Sequence, residues 1–115
     1  MRRGEIWLVD LEPIRGNEAN KRRPAVIVSN DSANSAATRL RRGVVTVIPV
    51  TSSISDVRPF QVLLPAGGTG LSLGSKAQAE QVRAVSVERL GSSIGRLPSA
   101  LMAKIDEALR LHLAL

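Results

Sequence analysis

The chain reads as a mainly β, α+β domain: a small antiparallel barrel or partly open sheet with short helices and one C-terminal helix. Three observations predict it. Short β-branched runs recur at hairpin-like spacings between Glu5 and Leu97, polar and glycine-rich turns separate them, and only the last segment has a long helical period. A chain of 115 residues has material for one cored domain, over 1–115, and not for two.

The elements follow in order. Glu5-Ile6-Trp7-Leu8-Val9, with Gly4 ahead of it, is the first strand. Residues 10–23 form a long polar loop with Pro13, Gly16, Asn17 and Asn20, a length that inside a compact domain points to function. Ala25 to Ser29 is a second strand, apolar throughout and so buried on both faces, with Pro24 at its first position. Asn30-Asp31-Ser32 caps a short helix over about 33–40.

Gly43 to Ile48 is the third strand, with Pro49 near its end and a turn at Thr51-Ser52-Ser53. Phe60 to Leu64 is the fourth. The glycine-rich stretch 65–74 is loop, and it lacks the lysine and spacing of a nucleotide P-loop. Ser75 to Val87 has a strand-like pattern, and Ile94 to Leu97 is a last short strand. Pro98-Ser99 opens the terminal helix, whose residues Leu101, Ile105, Ala108, Leu109 and His112 share one face.

Sixteen Lys and Arg against ten Asp and Glu give a net +6, and residues 1–42 alone hold nine cations and five anions. Such a field favours a polyanion, either nucleic acid or an acidic protein. With no cysteine, there is no disulfide framework, zinc knuckle or thiol nucleophile, and the composition suits the cytoplasm. The opening MRRGEIWLVD is too short an apolar run for a signal peptide, and no stretch approaches a membrane span. Trp7 and Phe60 are the only aromatic side chains besides His112, so base-stacking platforms lack material.

Several chemistries drop out. His112 is the single histidine and sits on an apolar stripe, which excludes paired-histidine cleavage of RNA and a Ser-His-Asp relay. The ten carboxylates form no metal-ligand cluster, so no metal and no cofactor is expected. RNA needs neither, because its own 2′-hydroxyl can attack the neighbouring phosphate. The protein must then orient that phosphate, stabilise the growing charge and help move a proton. Lys21-Arg22-Arg23 runs through Pro24 into a strand, which holds a guanidinium at the rim of a rigid element. Arg23, Thr51, Glu18 and Gln81 are the right residue types for the task.

These residues resemble the MazF/PemK-like toxins of bacterial toxin–antitoxin pairs. The likeness runs over nearly the whole chain: RGEIWLVDL at the start, GNEANKRRPAVIVSND at 16–31, VVTVIPVTSS at 44–53, AEQVRAVSVERLGSSIGRL at 79–97, and the final helix. The resemblance implies an SH3-like barrel in a homodimer that cuts single-stranded RNA without metal, leaving 2′,3′-cyclic phosphate and 5′-hydroxyl ends. It places the functional arginine on Arg23 and the functional threonine on Thr51, with Glu18 and Gln81 in support and Arg83 one step (i+2) along the same strand face as Gln81.

Glu18 is then the carboxylate candidate for the 2′-hydroxyl proton, and Asn17, Lys21, Arg22, Asn30, Ser52, Gln81 and Arg83 are expected RNA contacts. The implied partner is an antitoxin with an acidic, partly disordered segment, through which alone DNA would be bound. The loop at 16–20 reads GNEAN, where many relatives carry GSEQ, so the RNA motif does not transfer. Two other readings stand beside this one: a gyrase-poisoning toxin of the same fold, and a non-catalytic nucleic-acid binder.

Overall fold

Seven antiparallel strands form one sheet in the computed structural model, which describes residues 1–11 and 22–115. They are β1 (Glu5–Asp10), β2 (Arg22–Ile27), β3 (Val44–Thr51), β4 (Gln61–Leu64), β5 (Ser75–Gln78), β6 (Arg83–Ser86) and β7 (Leu90–Arg96). Two helices, α1 (Asp31–Leu40) and α2 (Ser99–Leu113), complete the α+β fold expected from the sequence. The strand order is β4-β5-β3-β2-β1-β7, with β6 also paired to β3.

The Ala25–Ile27 end of β2 is buried on both faces, as its unbroken apolar pattern requires, and so the core has two parts. Val26 joins Ile6, Ile48, Val50, Leu64, Leu97 and Ile105 on one side of the sheet. Ala25 and Ile27 join Val9, Leu11, Ala37, Val45, Val47 and Val85 on the other. The alternation of strand side chains makes this division. α2 closes the first cluster with Ile105 and Ala108, while α1 closes the second with Ala37.

Four expectations need correction. β2 begins at Arg22, so Pro24 lies inside the strand. The β2–β3 pairing starts only at Ala25↔Pro49, which leaves Pro24 beyond that ladder. Ser75 to Val87 is not one strand: a 3₁₀ turn at Ala79–Gln81 separates β5 from β6, and a second turn at Val87–Arg89 follows. Both strands run along the same edge of β3, β5 pairing Val50 and Thr51 and β6 pairing Val44 to Val47. The break falls opposite Ile48 and Pro49, where proline has no amide to donate. β7 begins at Leu90, well before Ile94, because its partner is β1, which it meets from Glu5↔Arg96 to Val9↔Leu90 with two register shifts. His112 is exposed rather than part of the packed stripe, its ring tilted 55° to Phe60 at 6.3 Å.

The two ends of the sheet meet through glycines instead of a ladder. A Cβ on Gly70 would lie 1.8 Å from the Ile94 carbonyl oxygen, and one on Gly95 would lie 1.9 Å from that of Thr69. Gly70 also has φ +85°, in the region that favours glycine. The loop after β4 is thereby pressed against β7.

The helix caps and the chain start are tied together. Asn30 Oδ1 accepts from the Ala33 N–H as the N-cap of α1. Arg3 donates its N–H to Asp31 at 2.7 Å, its Nε to the Val28 carbonyl and its Nη2 to Asp106 of α2. The backbone bond from Arg3 holds the Asp31 carboxyl below its ordinary value of 3.8. A carboxyl that titrates lower when folded stabilises fully above the unfolded value and loses that contribution as pH falls through the folded one. Asp31→Asn is therefore expected to melt below wild type at pH 7, with the gap closing below about pH 4. A gap that stays constant down to pH 2 in thermal melts would remove this role.

Candidate functional site

The end of β3 and the start of β2 build a groove. In the β2–β3 register Ala25 faces Pro49, and extending it by two residues sets Arg23 across from Thr51. Thr51 in turn pairs with Lys76 of β5 on its other side. Thr51 and Lys76 therefore share a face, and the extended register brings Arg23 to the same end of β3. Arg23 and Thr51 line a groove of about 410 Å³ with Ser52, Ser72 and Leu73, and Leu8 and Ile94 form its apolar wall.

The side chains in the groove are set for an anion. Arg23 is exposed, and among the described residues it has no hydrogen-bond or ion-pair partner. Thr51 Oγ1 accepts from the Ser53 N–H at 3.2 Å. That bond fills one acceptor position and leaves the hydroxyl proton for a ligand. No carboxylate is among the described residues that line the groove. A permanently charged fork beside free hydroxyls suits the non-bridging oxygens of a phosphodiester.

The other expected residues are distributed differently. Ser52 lines the groove. Arg22 lies on the opposite pleat from Arg23, against Gly91 of β7. Asn30 is occupied as the α1 cap. Gln81 is exposed on the 3₁₀ turn, which interrupts the strand, so the i+2 relation expected between Gln81 and Arg83 does not hold. Arg83 Nη1 donates to the Leu11 carbonyl at 2.8 Å. Asn17, Glu18 and Lys21 lie outside the described residues.

Two contributors escaped the sequence reading. The loop 65–74 supplies a wall of the groove through Gly70, Leu71, Ser72 and Leu73; its density of glycine was the signal for a close approach. Lys76 stands beside Thr51, its Nζ donating to the Asp56 carbonyl, and only the β3–β5 register reveals it. Lys76→Gln is expected to weaken binding of a polyanion several-fold and to make its salt dependence shallower, because a flanking cation adds electrostatic binding. A salt dependence unchanged in the variant would remove Lys76 from the groove's field.

Among the described residues, no group of three His, Asp or Glu side chains is arranged to hold a metal ion. Among the same residues, no helix is long and apolar enough to cross a membrane.

Comparison with known proteins gives a consistent picture. The family model described as "PemK-like, MazF-like toxin of type II toxin-antitoxin system" matches residues 2–113. The chain is 64% identical over 115 residues to Endoribonuclease MazF9 of Mycobacterium tuberculosis, covering all of this chain and 98% of that protein. It is 31% identical over 116 residues to Endoribonuclease EndoA of Bacillus subtilis, covering all of this chain and 96% of that one. In structure it is similar to a chain in the crystal structure of MazE-MazF (Form-II) from Deinococcus radiodurans, with TM-score 0.80, 25% identity and coverage of 100% and 96%.

Proposed function

Because the chain belongs to the PemK-like, MazF-like endoribonuclease toxins of type II toxin–antitoxin systems, we propose that its groove cleaves single-stranded RNA by internal attack, without metal. The observation that carries this reading is the meeting of Arg23 and Thr51 at one groove without a carboxylate among its described lining.

In the proposed reaction the 2′-oxygen forms a bond to phosphorus and the 5′-oxygen leaves. The products are a 2′,3′-cyclic phosphate and a 5′-hydroxyl. Arg23 binds two phosphoryl oxygens in fork geometry and stabilises the charge that builds on them. Thr51 donates its hydroxyl proton to a phosphoryl oxygen. Glu18 has the residue type to take the 2′-hydroxyl proton, and a proton arriving on the 5′-oxygen balances it. Holding the 2′-oxygen in line with the leaving group supplies much of the remaining acceleration.

The test is digestion of a long mixed-sequence RNA in excess EDTA. Discrete fragments with 5′-hydroxyl ends are expected, slowed on the order of 100-fold by Thr51→Ala. A folded wild type that leaves the RNA intact would overturn the reading.

The proposed partner is an antitoxin whose acidic, partly disordered segment folds over the groove and covers Arg23. The similarity to the MazE-MazF complex supports it. Inhibition should weaken as salt rises; a complex indifferent to ionic strength would remove the electrostatic part. A homodimer in the cytoplasm completes the proposal. The α2 stripe packs inward through Ile105 and Ala108, so support for a dimer comes instead from exposed Leu63, Leu111 and Leu113.

A further inference from the structure

Among the described residues, the last pair between β1 and β2 is Asp10↔Arg22, and Leu11 follows it at 8% exposure. A buried carbonyl needs a donor. The Leu11 carbonyl accepts from Arg83 Nη1 at 2.8 Å, and the Asp10 carbonyl accepts from Arg89 Nη1 at 3.4 Å. The two donors come from β6 and from the 3₁₀ turn that follows it, far away in sequence.

The β2 side of the same junction is also held by an arginine. A Cβ on Gly91 would lie 2.5 Å from Arg22 Nη1 and 3.1 Å from the Leu8 carbonyl oxygen. The Arg22 side chain thus lies against Gly91 of β7, beside β1. Three guanidiniums from three elements converge on the end of the β1–β2 pair. The next pair inward is Val9↔Arg23. The residue whose backbone this junction fixes is therefore the cation of the groove.

We propose that Arg83 and Arg89 are positioning residues: they hold the end of β1, and so set where Arg23 stands, rather than binding RNA themselves. The functional half of this inference rests on the nuclease reading above. The mechanical half does not. A rigid fork suits the task, since less of its freedom is lost for each bond it makes than with lysine.

The experiment compares wild type with Arg83→Met, Arg83→Lys and Arg89→Met in single-turnover cleavage, in RNA affinity across a salt series, and in amide hydrogen exchange. The methionine variants are expected to lose on the order of tenfold in rate, since small displacements of a reacting group are costly. Affinity and its salt slope should stay at wild-type values, and exchange should quicken at the Val9–Arg23 and Asp10–Arg22 pairs. Arg83→Lys, which keeps one donor, should recover part of the rate. A salt slope shallower by about 0.7, with the rate intact, would make Arg83 a phosphate contact and overturn the proposal. Unchanged exchange at the junction would overturn it too. If Arg83→Met fails to fold, Arg89→Met carries the same comparison. If wild type does not cleave RNA, the nuclease reading falls, and exchange alone decides whether these arginines hold the strand end.

Discussion

Arg23→Ala is expected to slow RNA cleavage on the order of 100-fold or more under single-turnover conditions, with thermal stability within about 0.5 kcal/mol of wild type. The separation of the two effects follows from the position of the residue. Arg23 is exposed and has no partner among the described residues, so removing its side chain strands no buried group. Its contribution is to charge that develops only as the phosphate is attacked, and such a contact acts on the rate. Arg23→Lys should restore binding more than rate, because an ammonium cannot hold two phosphoryl oxygens in one plane. A lysine variant as fast as wild type would sink the bidentate role. An alanine variant as fast as wild type would move the site away from this groove.

Gly95→Ala should cost stability on the order of 3 kcal/mol, or a fall in Tm on the order of 10 °C. The clash is with backbone: the new methyl would lie 1.9 Å from the Thr69 carbonyl oxygen and 3.0 Å from the Gly70 Cα, and neither can swing aside as a side-chain tip would. Gly70→Ala meets the same close approach from the loop side, 1.8 Å from the Ile94 carbonyl oxygen, and adds strain at φ +85°. The two substitutions share one contact, so the double variant should lose less than the sum of the singles. Strict additivity in thermal melts, or a Gly95→Ala protein with the wild-type Tm, would show that the sheet closes elsewhere. Because Gly70 and Ile94 line the groove, both variants should also lose RNA affinity at temperatures where they remain folded.

Local patterns in the sequence carried the strands and helices whose cause is local. The unbroken run Ala25 to Val28 announced a strand buried on both faces, and Asn30 announced its helix by side-chain chemistry alone. The failures have non-local causes. Nothing near Ala79 says that β3 carries a proline opposite, yet that proline coincides with the break between β5 and β6. Leu90 to Ser93 has little strand propensity and is extended because β1 pairs with it. The site divides in the same way. Arg23, Thr51 and Ser52 sit in recognisable motifs beside strand ends, whereas Lys76 and the wall at Gly70 to Leu73 enter only through pairing and packing across the barrel.

The mode of closure has a consequence for synthesis. A ribosome that has passed Thr51 has already made Glu18, Arg23 and Thr51, yet the walls contributed by residues 70–73 and Ile94 have still to be made. β1, although made first, waits for Arg96 before its second edge is paired. Contacts so distant along the chain form late in folding. Under the proposed function, a chain that has not yet reached Ile94 therefore lacks a wall of the groove and the full second partner of β1, and its arginine and threonine alone do not make the site.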